Sequence, residues 1–365
     1  MSKKVFRSNI ILRNDPVICK FLRENVVLIN DLQEPKFFFM VLNEIEKLRG
    51  QFKEINFLAY DNSEILGRKT SKVLNAFFKK IDRIERKIPD GLLMSKLKSA
   101  FRESFKEYFY KSSYIKHGYL KPRGYPGDYK LLEAMYDNRS ELSVMGFLFD
   151  QYFLNDSYVK AVRDRKNRMK EFLKDFIENC PKKKISILNV ACGGCRETRE
   201  LFENGFTTEK NVDFIFIDQD KDALRFARSK IGTLSPNYTK KFIAGNVGLL
   251  YGDKINMVQK LGGQDLIYNI GLADYLPDGI LSSLIKFCYI LLNKNGRLII
   301  AHKNVTEYSA LAPDWMCDWH FIPREKEELH NIIITNLPKE MYKSNISFDK
   351  NKLMFYAIID KLSLN

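Results

Sequence analysis

The segment Ile185-Ser-Ile-Leu-Asn-Val-Ala-Cys-Gly-Gly-Cys195, followed by Arg196-Glu-Thr-Arg-Glu-Leu-Phe202, limits the possible folds of this chain more than any other. A short apolar run reads as a buried strand, and Ala191, Cys192, Gly193 and Gly194 read as a turn opening a helix. Four small residues leave the backbone N–H groups at a helix N-terminus open to a ligand, because no large Cβ substituent blocks the approach. A second apolar run ends Phe216-Ile217-Asp218, 24 positions past Gly194. A carboxylate at the tip of a second strand is placed to accept both ribose hydroxyls of an adenosine moiety, with helix capping as the alternative role.

Beyond Pro181 and Lys182-Lys183-Lys184, short apolar runs alternate with amphipathic helices, the pattern of a parallel sheet. Strands are expected at 185–190, 213–217, 241–244, 265–269 and 296–301, with two alternating, antiparallel-type segments at about 341–348 and 352–359. Before Pro181 the periodicity is helical. One run extends from Pro35 to about Ile88, with Val73, Leu74, Phe77, Phe78, Ile81 and Ile84 at helical spacing, and stops at Pro89-Asp90-Gly91. Leu97, Phe101, Phe105, Tyr108 and Phe109 share one face of a helix expected to end near His117-Gly118, and these aromatic stripes read as core packing. Residues 129–137 and 141–179 also read as helix. Lys121-Pro-Arg-Gly-Tyr-Pro-Gly-Asp128 cannot continue a helix and reads as a shaped loop. The expectation is therefore an all-helical domain over 1–180, carrying the loop at 118–129, ahead of an α/β domain over 181–365.

Sixty Lys and Arg against 45 Asp and Glu give a net charge of +15. The excess is spread thinly, with no Arg-rich block or basic tail, which reads as a solvated surface and disfavours a nucleic-acid partner. Six cysteines, scattered except for Cys192 and Cys195, do not make a secreted disulfide framework and fit a reducing cytoplasm. The basic start is followed by Arg13, Asn14, Asp15 and Pro16, without the apolar centre of a signal peptide, and no apolar stretch reaches membrane-spanning length.

Taken in order, these segments resemble the class I S-adenosylmethionine (SAM)-dependent methyltransferases. Their first motif, acid-x-Gly-x-Gly-x-Gly, is similar to Asn189-Val-Ala-Cys-Gly-Gly-Cys195, with Asn189 at the acidic position and Ala191 and Cys195 replacing glycines. Ala244-Gly-Asn246 stands at the end of the third strand. Asp265-Leu-Ile-Tyr-Asn-Ile-Gly-Leu-Ala-Asp-Tyr-Leu-Pro277 covers the fourth strand and the loop that borders the methyl group. Leu292-Asn-Lys-Asn-Gly-Arg-Leu-Ile-Ile300 resembles the turn into the fifth strand. Residues 121–128, 191–197 and 271–276 together resemble, more narrowly, the bacterial methyltransferases that make 3-hydroxypalmitic acid methyl ester.

The resemblance implies a Rossmann-like, seven-stranded methyltransferase domain behind the helical one, with SAM as cofactor. It implies that Asn189, Ala191, Cys192, Gly193, Asp218, Gln219, Asn246, Val247, Asn269 and Gly271 hold the cofactor. It also implies that the loop from Lys121 closes over it with Arg123 and Tyr125. Tyr275 is expected to line the methyl pocket. His302 and His320 are the histidines nearest the site by sequence. Arg324, beyond Trp315-Met-Cys-Asp-Trp319, is expected to pair with an acceptor carboxylate, although the two tryptophans also fit a core. Tyr275, His320 and Arg324 are thus the candidate catalytic residues, and no metal is expected.

The favoured reaction is O-methylation of a small or lipid-like carboxylic acid. Transfer or cyclisation of SAM's aminocarboxypropyl group, RNA methylation and non-catalytic SAM binding are the alternatives. The loop after strand four lacks the Pro-Pro-aromatic signature of amino-directed base methylation, and no cysteine lies between Cys195 and Cys288 to serve 5-methylcytosine chemistry. Cys192-Gly-Gly-Cys195 also matches a dithiol motif, but redox chemistry would leave Asp218 and Asn246 unexplained. Zinc would lack a second ligand pair. A dinucleotide dehydrogenase would share the turn and Asp218, yet few strands follow.

Overall fold

The computed structural model describes residues 15–58, 63–140, 143–232, 237–246, 254–307 and 309–363. In chain order the helices before the sheet are α1 (Pro16–Glu24), α2 (Val26–Asn30), α3 (Pro35–Leu58), α4 (Ser63–Glu85), α5 (Gly91–Ser104), α6 (Lys106–Phe109), α7 (Ser113–Leu120), α8 (Tyr129–Asp137), α9 (Val144–Asn155) and α10 (Ser157–Asn179). There follow β1 (Lys184–Val190), α11 (Arg196–Glu203), β2 (Asn211–Asp218), α12 (Lys221–Ile231), β3 (Tyr238–Ala244), α13 (Lys254–Leu261) and β4 (Gln264–Asn269). The chain closes with α14 (Asp278–Leu291), β5 (Leu292–Lys303), α15 (Leu311–Cys317), α16 (Lys326–Asn336), β6 (Tyr342–Phe348) and β7 (Met354–Lys361).

Two compact units emerge, and they interleave along the chain. One holds Met1–Gly127, Asp137–Asp156 and Ala310–His320; the other holds Asp128–Tyr136, Ser157–Ser309 and Phe321–Asn365. The single junction expected at 180/181 is thus replaced by several crossings, and burial explains them. Met169, Leu173 and Ile177 of α10 share a core with Ile185 and Ile187 of β1, so α10 goes with the sheet. Trp315 of α15 stands edge-on to Phe101 at 5.1 Å and to Phe77 at 6.0 Å, and its indole N–H donates to Glu85 at 2.9 Å. That residue belongs to the helical unit.

In the helical unit the long expected helices are broken where capping chemistry interrupts them. The run beginning at Leu97 becomes α5, α6 and α7, because Ser112 takes an extended conformation and its hydroxyl accepts the Ile115 N–H. The run over 141–179 splits at Asp156, whose ψ of 143° ends α9. Asp15 and Asp90 cap α1 and α5 in the same way. Phe52, Phe101, Phe105, Phe109 and Phe149 form an aromatic core, each fully buried side chain contributing about 1.5–3 kcal/mol. Trp319 is buried too. The tryptophans therefore pack a core, as one of their two expected roles had it.

In the other unit all seven expected strands form one sheet, ordered β3-β2-β1-β4-β5-β7-β6. The first five are parallel, while β7 lies antiparallel to both β5 and β6. Side chains of β1 alternate: Ile185 and Ile187 join one core cluster, Leu188 and Val190 the other. Both faces are covered, as a parallel sheet requires. Strand β5 starts earlier than expected, at Leu292, through a bulge opposite β4. Gly296 makes this turn possible, since a Cβ there would lie 2.9 Å from the Asn293 carbonyl oxygen. Among the described residues no helix is long and apolar enough to cross a membrane.

Candidate cofactor site at the carboxyl edge of the sheet

Strand β1 delivers the chain into a turn held largely by left-handed backbone. Ala191, Gly193 and Cys195 have φ of 57°, 52° and 53°. Glycine takes this conformation freely, whereas alanine and cysteine pay about 1–2 kcal/mol each for it. The turn is tied down by Asp218 at the end of the neighbouring β2. Its Oδ2 accepts the Gly193 N–H at 2.8 Å and its Oδ1 accepts the Asp220 N–H at 2.8 Å. Burial pushes the Asp218 carboxyl above its ordinary pKa, opposed by these N–H donors. Helix α12 is capped by Asp220, not by Asp218. Asp218 is thus released from the capping role and stands at the carboxyl end of β2, beside β1, the strand at which the order turns from β2 on one side to β4 on the other.

The acid absent from position 189 reappears eight residues later. Asn189 donates from Nδ2 to Glu197 Oε1 at 2.9 Å, and the Tyr268 hydroxyl donates to the same oxygen at 2.8 Å. Glu197 is 3% exposed, and burial raises its pKa. The side-chain oxygen Oδ1 of Asn189 is buried and has no hydrogen-bond partner among the described residues. Sequence reasoning missed Glu197, although it stands in the very helix the turn opens. It also missed Glu133 of α8, which accepts from Arg196 at 2.9 Å and Arg199 at 3.0 Å. Its carboxylate lies 2.6 Å from where a Gly194 Cβ would stand. A Cβ on Gly193 would stand 3.9 Å from Tyr129, so α8 packs directly on the glycine turn.

Burial raises the pKa of both Cys192 and Cys195, the latter well above its ordinary value. A redox dithiol needs the opposite shift.

After β4, Asn269 organises the loop: Nδ2 donates to the Val190 carbonyl at 2.6 Å, and Oδ1 accepts from Leu272 at 3.1 Å and Ala273 at 3.3 Å. A buried ion cluster lies beside it. Asp274 Oδ1 accepts the Lys303 backbone N–H at 2.9 Å, and Oδ2 accepts Lys303 Nζ at 3.0 Å. Arg165 Nη1 of α10 stands 3.6 Å from Oδ2. Burial alone would raise the Asp274 pKa, but Lys303, His302 and Arg165 hold it at about 2. Burial lowers Lys303 to about 8 against the pull of Asp274. The Lys303 ammonium rests 3.9 Å from the Phe321 ring centroid, 4.4 Å from Tyr158 and 5.9 Å from Tyr275.

Of the residues expected from sequence, Asn189, Ala191, Cys192, Gly193, Asp218, Asn269 and Gly271 gather at the carboxyl ends of β1, β2 and β4. Gln219 and Asn246 are exposed at the tips of β2 and β3, and Val247 lies outside the described residues. Tyr275 is half-buried, its ring 5.4 Å from Phe321. Arg324 differs from expectation. Its guanidinium donates to Asp278, to the carbonyls of Ala273 and Leu276, and to His302 Nε2. His302 Nδ1 faces the Lys303 carbonyl at 2.9 Å, which assigns the proton to Nδ1 and leaves Nε2 to accept. All five guanidinium N–H groups are then engaged, so Arg324 clamps the loop and has none left for an acceptor carboxylate. His320 falls in the helical unit, exposed between Asp314 at 3.3 Å and Asp318 at 3.0 Å, whereas Tyr275 and Arg324 belong to the sheet unit. Arg123 and Tyr125 are half-buried in the helical unit.

No protein-family model matches the chain, and no curated protein matches its sequence. Solved structures do. A possible exported protein from Bordetella parapertussis is 14% identical, over 65% of this chain and 80% of that one, with a TM-score of 0.51. The plantazolicin methyltransferase BpumL, solved with a triazolic analogue and S-adenosylhomocysteine, is 14% identical over 72% of this chain and 100% of that one, with a TM-score of 0.43. Magnesium protoporphyrin IX methyltransferase from Synechocystis PCC 6803, solved with bound SAM, is 11% identical over 56% and 83%, with a TM-score of 0.39. The strand order, with its antiparallel seventh strand between β5 and β6, is that of the Rossmann-like class I methyltransferase fold, and the sheet unit has that fold.

Proposed function

We propose that the protein is a SAM-dependent methyltransferase that esterifies a small or lipid-like carboxylic acid. One observation carries the reading: the Gly193 N–H bonded to Asp218 at the carboxyl tips of β1 and β2, next to the β1/β4 boundary where the sheet order reverses. The residues present fit SAM. The left-handed turn at Ala191 and Gly193 carries no large side chain that would block a ligand, the Asp218 oxygens keep lone pairs for ribose hydroxyls, and the side-chain oxygen of Asn189 is a buried acceptor with no donor among the described residues. Asn246 is assigned to the adenine amino group, Gln219 and Val247 to its surroundings, and Tyr275 to the methyl pocket.

SAM, when bound, supplies a methyl carbon activated by an adjoining sulfonium. A carboxylate acceptor held in line with it would take that methyl as an ester and leave S-adenosylhomocysteine. No proton has to be removed, because the acid is already ionised at neutral pH. The chain's task is then to align the two partners and to exclude water, which suits a site edged by Tyr275, Phe321 and Tyr158. The scattered cysteines support a cytoplasmic setting.

The test offers methyl-labelled and carboxyl-labelled SAM, in parallel, to hydroxy fatty acids, small metabolite acids, tRNA and rRNA. Base-labile methyl label in the organic extract supports the proposal. Carboxyl label in product points to aminocarboxypropyl chemistry, and label confined to RNA overturns the choice of acceptor.

A further inference from the structure

Arg165 is a buried cation with unfinished hydrogen bonding. Its side chain is 5% exposed, yet Nε and Nη1 have no hydrogen-bond partner among the described residues. A buried donor left unpaired costs about 1–3 kcal/mol, so two on one guanidinium call for an explanation. Asp274 does not provide it. Both its oxygens already accept from Lys303, and its separation of 3.6 Å from Nη1 exceeds hydrogen-bond reach.

The surroundings favour an anion. Gly271, in the loop after β4, has no side chain, and a Cβ there would lie 3.2 Å from Arg165 Nη2. Around Asp274 stand two cations, Lys303 and Arg165, for one carboxylate. The hydroxyl beside Arg165, that of Tyr136, is pushed up to about 12, chiefly by burial, and stays neutral at physiological pH. A guanidinium presents its donors as a planar fork that matches a carboxylate.

We infer that Arg165 is the anchor for a ligand carboxylate at the carboxyl edge of β4, in the place the sequence had given to Arg324. The inference rests on the SAM reading above. Two sources share this chemistry: the acceptor's own carboxylate and the carboxylate of the cofactor's amino-acid end.

Calorimetry on the full chain separates them, using S-adenosylhomocysteine, 5′-methylthioadenosine, which lacks the amino-acid end, and palmitate added to protein saturated with S-adenosylhomocysteine. The variants are Arg165→Met, Arg165→Lys and Gly271→Ala, the last crowding the guanidinium without altering its charge. If the cofactor supplies the carboxylate, Arg165→Met weakens S-adenosylhomocysteine tenfold or more and leaves 5′-methylthioadenosine within twofold. If the acceptor supplies it, S-adenosylhomocysteine is unaffected and palmitate weakens tenfold or more. Arg165→Lys falls between Arg165→Met and wild type, and Gly271→Ala reproduces the selective loss even should Arg165→Met melt early. Variants that bind all three compounds as wild type does overturn the anchor while leaving the SAM reading intact. A wild-type protein that binds neither nucleoside overturns the SAM reading, and the anchor with it.

Discussion

Lys303 donates from Nζ to Asp274 Oδ2 at 3.0 Å, with each side chain 1% exposed. The pair joins the end of β5 to the loop after β4, which carries Gly271 and Tyr275. Removing one partner leaves a buried charge uncompensated, at a cost of about 3–5 kcal/mol. Asp274→Asn should therefore lower the urea midpoint strongly, and Asp274→Asn combined with Lys303→Met should recover part of the loss. A double variant no more stable than the single one contradicts this coupling.

The same pair sets an acid response. Asp274 sits at about 2 in the folded chain, below its ordinary 3.8. Its stabilising contribution is complete above about pH 4 and disappears as pH falls through 3.8 toward 2. The stability gap between wild type and Asp274→Asn should be flat near neutrality and should close over that acid window. Lys303, lowered to about 8 by burial, has the other sign: it costs stability below pH 8, and the cost fades as pH rises toward 10.5. Chemical denaturation at a series of pH values checks both, and a gap that persists at pH 2 is the contrary result.

Asp218→Ala should weaken S-adenosylhomocysteine about tenfold or more, since a charged hydrogen bond is worth roughly 1.5–3 kcal/mol. The fold should persist, because α12 keeps its own cap at Asp220. Undiminished affinity in a folded variant removes the ribose assignment.

Ala191 occupies a left-handed conformation at φ 57°. Ala191→Gly relieves about 1–2 kcal/mol of strain and returns about 0.5–1 kcal/mol to chain entropy. A rise in Tm of about 2–4 °C is expected from a net gain near 1 kcal/mol. A lower Tm counts against the strain.

Arg123→Ala and Tyr125→Ala address the proposal that the loop at 121–128 covers the cofactor. Asp128, which ends that loop, caps α8 through the Lys130 N–H at 2.9 Å, and α8 packs on Gly193. Each variant should impair SAM binding or turnover with its melting temperature unchanged; full activity in both removes the lid.

What could be read from the sequence was what is local. Strands β1 and β2, the small-residue turn and Asp218 lie within one stretch whose periodicity and turn chemistry agree, and they form as expected. Arg165 and Lys303 meet Asp274, and Glu133 meets Arg196 and Arg199, only through the fold, and no spacing along the chain announces that they touch. Arg324 illustrates the same limit. Its position after β5 was read correctly, but its partners Asp278, Ala273 and Leu276 come from another element, and they turn a presumed substrate anchor into a clamp. Amphipathic α8 and α10 announced an apolar face without saying which core would receive it.

The crossing of residues 310–320 into the helical unit has a consequence for biosynthesis. A ribosome releases the chain from its N-terminus, and domains usually close as they emerge. Here the aromatic core around Phe77 and Phe101 must wait, uncapped, until Trp315 has been translated, after most of the sheet. The unit made first is therefore completed late, and a nascent chain halted at residue 180 would expose the apolar surface that Trp315 covers, a ready client for chaperones.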